Sequence, residues 1–253
     1  MGRFIRRNGV LIMKKVKLKI PFENIKDAID MASYEHHYFI DKKNHSIVFI
    51  SEIEEDYEEK LEECENDNFI SFEPRTPQEN FSVMEQFVYN IKDFNIAQKF
   101  MAVLSKKKPF SNFKELLYQF PKLREEWFKF KDKQLENDTM DWLCNNEIEL
   151  EDMSFMPKIE VKELKPEEVK FPPEFRGFGP IECMKCKNKD GIKTRYFELS
   201  HLSENILIDK EIKRIMKENF KIENYGCLSG GEKEILTASW CDKCKSNELF
   251  EDF

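Results

Sequence analysis

The sequence predicts an α+β fold: a mostly helical domain with a small N-terminal β-hairpin sheet, joined to a small C-terminal domain. Three observations lead to this prediction. Apolar residues recur at helical spacing over residues 78–146. Two short apolar runs flank a polar turn near residue 44, a pattern typical of a β-hairpin. Five of the seven cysteines lie after residue 180, which sets the end of the chain apart in composition.

The N-terminal elements are one helix and a small sheet. Apolar residues recur at steps of three and four from residue 22 onward: Phe22, Ile25, Ile29 and Ala32. The runs 38–40 and 47–50, with the polar turn between them, predict a hairpin. An acidic helix is expected around 54–66 and a short strand at 69–72.

Residues 78–146 predict a series of helices, each with an apolar stripe. The stripe residues are Phe81, Met84, Phe87, Val88 and Ile91; Phe100, Met101 and Leu104; Phe110, Phe113, Leu116, Leu117 and Phe120; and Phe128, Leu135 and Trp142. Pro121 suits the first turn of the last helix. Because such stripes usually face a core, we interpret the stripe residues as core, together with Trp127, which lies on the same side of the last helix as Trp142.

Composition divides the chain into four segments. Residues 1–20 are a basic lead-in, and residues 21–149 form the helical α+β domain. Residues 150–180 contain prolines spread among Glu and Lys with little apolar periodicity, which predicts a linker. Residues 181–253 form a separate small domain.

The charge pattern bears on location and partners. The net charge of −8 makes the whole chain a poor candidate for wrapping nucleic acid by charge alone. The longest apolar runs are too short to span a membrane, and lysines interrupt the N-terminus where a signal peptide would be apolar. We therefore expect a cytoplasmic protein with no membrane partner. Met1 and Met13 are both candidate translation starts.

The C-terminal domain contains two CxxC pairs with 54 residues between them: Cys183 and Cys186, then Cys241 and Cys244. A two-residue spacer turns both sulfurs to one side, so four thiolates can surround one metal ion tetrahedrally. The strand-like segments 194–199 and 234–240 beside the pairs favour a zinc-ribbon-like module. Four cysteine ligands leave no open coordination position, so the expected cofactor is a structural zinc ion.

Several alternatives remain open around this module. A CxxC pair can instead be a redox site, although neither pair lies in a βαβ context. Cys227 can replace a ligand or join a second site, and we favour the simpler interpretation of a small residue before a turn. Ser229-Gly230-Gly231 is interpreted as that turn. Because the domain has few apolar side chains, we expect the metal to contribute much of its folding energy.

Residues 99–133, the basic segment, carry ten basic residues against four acids. Its candidate polyanion contacts are Lys106, Lys107, Lys108 and Lys114. The alternative is a solvated face that balances the acidic helix at 54–66, either within the fold or between copies.

A resemblance to a known family adds to this picture. The residues that carry it are Tyr38-Phe39-Ile40-Asp41, Ile47-Val48-Phe49, Phe110, Phe113-Lys114-Glu115, Leu117, Pro121, Leu123, Trp127-Phe128, Phe130, Asp132 and Trp142-Leu143. Over residues 22–148 the chain resembles the bacterial and archaeal uncharacterised protein family 0158. It departs from the family at Asn44-His45, where a Thr-Gly pair is usual, and at Lys106–Pro109 and Ser111-Asn112, where a glycine and two arginines are usual. The resemblance implies a fold, and it implies no activity.

These observations favour a non-enzymatic binding or regulatory protein with a structural zinc site and a protein partner. The alternative is a nucleic-acid-associated factor that uses the basic segment and the zinc module. A third option, an enzyme with an active site between the domains, has no motif in its support.

Overall fold

The computed structural model describes residues 5–7, 10–12, 16–169, 180–201, 205–228, 235–247 and 249–251. It divides into two compact units, Met1–Phe155 and Met156–Phe253. The described residues form seven α-helices and sheets of two to four strands, so the mixed α/β class is confirmed. Helices dominate only between residues 77 and 145, and short strands prevail elsewhere in the described part of the chain.

The first unit begins with small sheets around two helices. Its elements are β1 (Ile5–Arg7), β2 (Val10–Ile12), β3 (Val16–Leu18), α1 (Phe22–Met31), β4 (His36–Asp41), β5 (Ser46–Ser51), α2 (Tyr57–Cys64) and β6 (Phe69–Ser71). Strands β5, β4 and β6 form an antiparallel sheet in that order, as the hairpin pattern predicts. The Asp41 carboxylate closes the hairpin turn by accepting the backbone N–H groups of Lys43 and Asn44 at 2.9 and 3.0 Å.

Four helices follow, and then one strand. They are α3 (Pro77–Tyr89), α4 (Phe94–Leu104), α5 (Pro109–Tyr118), α6 (Pro121–Asn145) and β7 (Ile148–Leu150). Thr76 and Glu79 form a capping box at the start of α3, and the Asp93 carboxylate caps α4. Strand β7 pairs in parallel with β3, so part of the predicted lead-in belongs to this unit.

Helices α3 to α6 enclose one apolar cluster. Its buried members are Met84, Phe87, Val88, Phe100, Leu104, Phe113 and Leu117. The Trp127 ring meets Phe87 and Phe113 edge to face, with centroids 5.2 and 4.9 Å away. Trp142 stacks on Phe72 at 4.5 Å. Both tryptophans are half-buried members of the packing.

The interpretation of Met101, Phe110 and Phe128 as core residues is wrong, because they are 42%, 38% and 54% exposed. Successive helical residues lie about 100° apart around the axis. The side of α6 that meets the cluster holds Trp127 and Phe130, and Phe128 therefore lies off that side.

The second unit is a four-stranded sheet with one helix and a two-stranded extension. Its elements are β8 (Val161–Leu164), a short 3-10 helix (Pro166–Glu168), β9 (Pro180–Cys183), β10 (Ile192–Leu199), α7 (Ile206–Phe220), β11 (Gly226–Leu228), β12 (Ile235–Cys241) and β13 (Leu249–Glu251). The sheet order is β11-β12-β10-β8, all antiparallel, and β13 pairs with β9. Its buried cluster is Phe197, Leu199, Ile208, Ile212, Met216, Leu236 and Ala238.

The observed division differs from the predicted linker at 150–180. Strand β8 lies inside that range and pairs with β10. The Arg195 guanidinium joins the two strands by donating to both carboxylate oxygens of Glu163 at 2.7 and 2.8 Å. The second unit therefore takes in residues from 156 onward. The predicted turn Ser229-Gly230-Gly231 lies outside the described residues.

Among the helices that the structure describes, none is both long and apolar enough to cross a bilayer.

Candidate metal centre

The four cysteines of the two CxxC pairs come together in the second unit. Their Sγ atoms all lie within 4.8 Å of one another. The Sγ atoms of Cys183 and Cys244 are 3.5 Å apart, and those of Cys186 and Cys241 are 3.6 Å apart. Each short distance joins one pair to the other, so residues separated by more than fifty positions in the chain form one cluster.

Strand pairing brings the two turns together. Cys183 is the last residue of β9, and Cys241 is the last residue of β12. In the β10–β12 pairing, Ile192 lies opposite Cys241, so the chain leaving the first turn runs beside the entrance of the second. The backbone N–H of Asp242 also donates to the carbonyl of Gly191 at 2.7 Å.

The two CxxC turns have the same backbone design. The N–H groups of Lys187 and Lys245 donate to the carbonyls of Cys183 and Cys241, each at 2.8 Å. Both lysines have left-handed backbone, with φ of 58° and 59°. Two separate segments have thus adopted one local geometry, in which both sulfurs of a pair lie on one side.

Hydrogen bonds to sulfur already act on this cluster. The backbone N–H groups of Cys244 and Lys243 donate to Cys241 and lower the pKa of its thiol to about 6. At Cys186, the backbone N–H of Asn188 lowers the pKa, but burial and the hydrogen bonds among the thiols outweigh it and raise that pKa to about 12. Four adjacent thiols cannot all ionise without a cation, because thiolates repel one another.

The cluster fits a metal ion in size and in donor chemistry. A tetrahedral ion with metal–sulfur bonds of about 2.3 Å requires sulfurs about 3.8 Å apart. The Cys183–Cys244 and Cys186–Cys241 sulfur separations, 3.5 and 3.6 Å, are close to that edge length. All four cysteines are free thiols in the structure. These residues can therefore hold one tetrahedrally coordinated metal ion.

Lysines surround the cluster in the sequence: Lys185, Lys187, Lys189, Lys193, Lys243 and Lys245. Four of them form ion pairs with Glu182 or Asp242, at Nζ–O distances between 2.7 and 3.6 Å. Four thiolates and a divalent ion leave two negative charges at the centre. The positive charges of the surrounding lysines stabilise this net negative charge.

The remaining cysteines stand apart from the cluster. Cys227 is exposed on β11 and is not a member of it. Cys64 and Cys144 are buried on α2 and α6, and burial raises the pKa of the Cys64 thiol. Among the described residues, the four cysteines of the two CxxC pairs form the one candidate metal group.

The predicted polyanion contacts lie in the first unit. Lys106, Lys107 and Lys108 are exposed between α4 and α5, and Lys108 has left-handed backbone with φ of 59°. Lys114 is exposed on α5. Sequence reasoning missed two residues beside the cysteine cluster, Asn188 and Gly191, because neither belongs to a ligand motif.

The fold and the cluster define a class: a mixed α/β protein of two compact units, with a tetracysteine centre in the second. A sequence profile of the uncharacterised protein family UPF0158 matches residues 15–162, and the chain belongs to that family. The predicted resemblance is confirmed. The chain is 23% identical over 133 residues to UPF0158 protein PA5073 of Pseudomonas aeruginosa, covering 52% of this chain and 86% of that protein. No solved structure matches significantly.

The family match ends before the first cysteine of the cluster. It covers the first unit from residue 15 onward and reaches Lys162, in β8. The four cysteines therefore lie outside the part of the chain that the family profile matches.

Proposed function

We propose that this chain is a non-enzymatic cytoplasmic binding or regulatory protein whose second unit is a zinc-ribbon-like module built around one structural zinc ion. The observation that carries the proposal is the cluster of four Sγ atoms within 4.8 Å of one another. The ligands are Cys183, Cys186, Cys241 and Cys244.

The donor set supports zinc. Thiolates are soft ligands, and a tetrahedral four-sulfur site suits zinc or iron. Zinc imposes no electronic geometry and accepts the tetrahedron that two CxxC turns provide. N–H groups that donate to sulfur, as at Cys241, spread the negative charge of a zinc tetrathiolate.

The ligand count supports a structural role. A catalytic zinc ion keeps one position for water or substrate, whereas four thiolates fill the tetrahedron. Free, clustered thiols also persist best in a reducing compartment, which supports the cytoplasm.

A binding role has further support from the first unit. A groove of about 250 Å³ lies between α3 and α4 and includes Val88, Tyr89, Met101 and Leu104. Tyr89 is 75% exposed there and Met101 is 42% exposed. Exposed apolar surface of this kind supports contact with a protein partner.

Metal content of the purified full chain tests the proposal. We expect one zinc ion per chain. Replacement of any of the four ligands by serine should abolish this zinc content. Cobalt(II) in place of zinc should give the intense thiolate absorption of a four-sulfur site. Cys227→Ser is the matched control and should retain the metal, because Cys227 lies outside the cluster. Purified protein with iron, with no metal, or with metal lost only in Cys227→Ser would refute the assignment.

A further inference from the structure

A second groove on the first unit combines aromatic rings with basic side chains. It lies between α3, α5 and α6, has a volume of about 380 Å³, and includes Met84, Phe113 and Trp127. Arg75, Lys114 and Lys131 also line it. Small-molecule sites have volumes of this order, with apolar walls and a few polar groups.

Exposed aromatic rings extend from this groove across the surface. Phe128 lines the groove and is 54% exposed. The Arg124 guanidinium lies over the Phe128 ring at 5.5 Å and over the Tyr118 ring at 4.8 Å. Tyr118 is 67% exposed. We call these three residues the Tyr118–Arg124–Phe128 stack. Its rings remain accessible to a planar ligand.

The basic side chains of this region differ in their partners, since Arg75 pairs with Asp138 and Lys131 pairs with Asp30. Only two of the ten basic residues in the basic segment, Lys131 and Lys133, have an ion pair with a carboxylate among the described residues. Lys114 and Arg124 have none there. Among the described residues, the ion pairs of the acidic stretch 54–66 join Lys60 to Glu54 and Asp56, so no carboxylate of that stretch pairs with the basic segment.

Flat exposed rings beside unpaired cations match one ligand chemistry. Single-stranded nucleic acid offers successive planar bases that stack on aromatic side chains, with phosphates that contact Lys and Arg. An acidic peptide can pair with the cations, but it has no planar bases to stack on the aromatic rings. In a duplex the bases stack on one another, so their faces are not accessible to these rings.

We infer that the α3–α5–α6 groove and the Tyr118–Arg124–Phe128 stack bind single-stranded nucleic acid. One base enters the groove against Trp127, and a neighbouring base stacks on Phe128. Lys114 and Arg124 contact the phosphates. This inference deepens the proposed binding function and rests on it, but every residue that carries it lies in the first unit.

The test is fluorescence anisotropy of the full chain with labelled single strands of about 12 nucleotides, RNA and DNA in separate titrations. We expect saturable binding of the labelled strand. Duplex, mononucleotide and polyglutamate should each displace that strand poorly. Phe128→Ala should weaken binding about ten-fold without changing the salt dependence. Lys114→Ala and Arg124→Ala should each weaken binding and reduce the slope of log K against log salt by about 0.7.

Tyr34→Ala and Lys162→Ala are the matched controls, since both residues are exposed and neither lines the groove. Both should bind like the parent chain. No binding, equal loss in the controls, equal affinity for polyglutamate, or full displacement by mononucleotide would overturn the inference. Zinc content is measured on the same samples. A chain that lacks zinc but binds single strands refutes only the proposal of a zinc site. A zinc-loaded chain that does not bind single strands refutes only the inference that the groove binds them.

Discussion

The side-chain amide of Asn188 donates an N–H to the Sγ of Cys241, 3.7 Å away and 53 residues along the chain. Asn188 lies just after the first CxxC turn, and Cys241 opens the second. This bond therefore links the two turns independently of any metal. It also places a neutral donor against one thiolate of the proposed tetrathiolate centre.

Asn188→Ala should weaken zinc binding about ten-fold, since outer-sphere partners typically contribute that much to metal affinity. The measurement is competition for zinc with a chromogenic chelator. Gly191→Ala should act in the same direction, because a Cβ at residue 191 would lie 2.6 Å from the Asn188 amide nitrogen and displace it. Asn224→Ala, an exposed position in the same unit, is the control. Equal affinity in all three variants would contradict this role for Asn188.

Removal of the metal should loosen the cysteine turns and leave α7 folded. The sequence alone predicts that the metal contributes much of the folding energy of the C-terminal domain. The structure shows a buried cluster between α7 and the sheet, including Ile212 and Met216, that contains none of the four cysteines. Hydrogen exchange after chelation should therefore accelerate at the amides of Lys187 and Lys245 and stay slow at those of Ile212 and Met216. Fast exchange throughout α7 would instead show that the folding of the whole second unit depends on the metal.

The ion pair between β8 and β10 predicts a pH-dependent contribution to stability. The Arg195 guanidinium holds the pKa of the Glu163 carboxyl below its usual range. Since this folded-state pKa is lowered, the stabilisation is present above the ordinary Glu value and is lost as the pH falls through the folded value.

Glu163→Gln should therefore reduce the free energy of unfolding by about 0.5–1 kcal/mol at neutral pH, a small value because both side chains are partly exposed. The difference from the parent chain should shrink below pH about 4. Urea unfolding at several pH values measures it. Glu167→Gln, at an exposed acid of the same unit, should show no such trend. A constant difference across the pH range would argue against the ion pair.

The division of the chain predicts how fragments behave. A fragment of residues 156–253 should be more stable than one of residues 181–253, both loaded with zinc. The shorter fragment lacks β8 and loses Met156, Ile159 and Val161, which pack against the cluster of the second unit. We expect a loss of at least about 2 kcal/mol in the free energy of unfolding. Equal stability would support a domain that starts at residue 181.

Neighbouring residues of α6 should respond differently to truncation. Trp127→Ala removes a ring that packs on Phe87 and Phe113, and it should cost about 2–4 kcal/mol. Phe128→Ala removes a largely exposed ring, and it should cost less than about 1 kcal/mol. Thermal unfolding of the two variants compares them directly. Similar losses would mean that Phe128 is part of the core.

Local patterns made much of this molecule predictable. The periodicity of apolar residues predicted the helices of the first unit, because a helix that buries one side must repeat every three to four residues. Two short apolar runs on either side of a polar turn predicted the hairpin β4–β5, because this pattern too depends on residues that are close in the chain. The four cysteines were predicted as one group from spacing alone, since a CxxC turn constrains both sulfurs locally.

Tertiary structure decided what depends on contacts between distant residues. The segment Val161–Leu164 has no apolar periodicity of its own. It is a strand because it pairs with the edge of β10 and because the Glu163 carboxylate accepts hydrogen bonds from Arg195. The exposure of Phe128 depends on which side of α6 meets α3 and α5, which a stripe that repeats every seven residues does not determine. Asn188 acquires its sulfur contact only when β10 and β12 pair. Sequence thus determined the local elements and the donor set, whereas packing determined which side chains meet, because burial and hydrogen bonding depend on neighbours that the chain brings together only on folding.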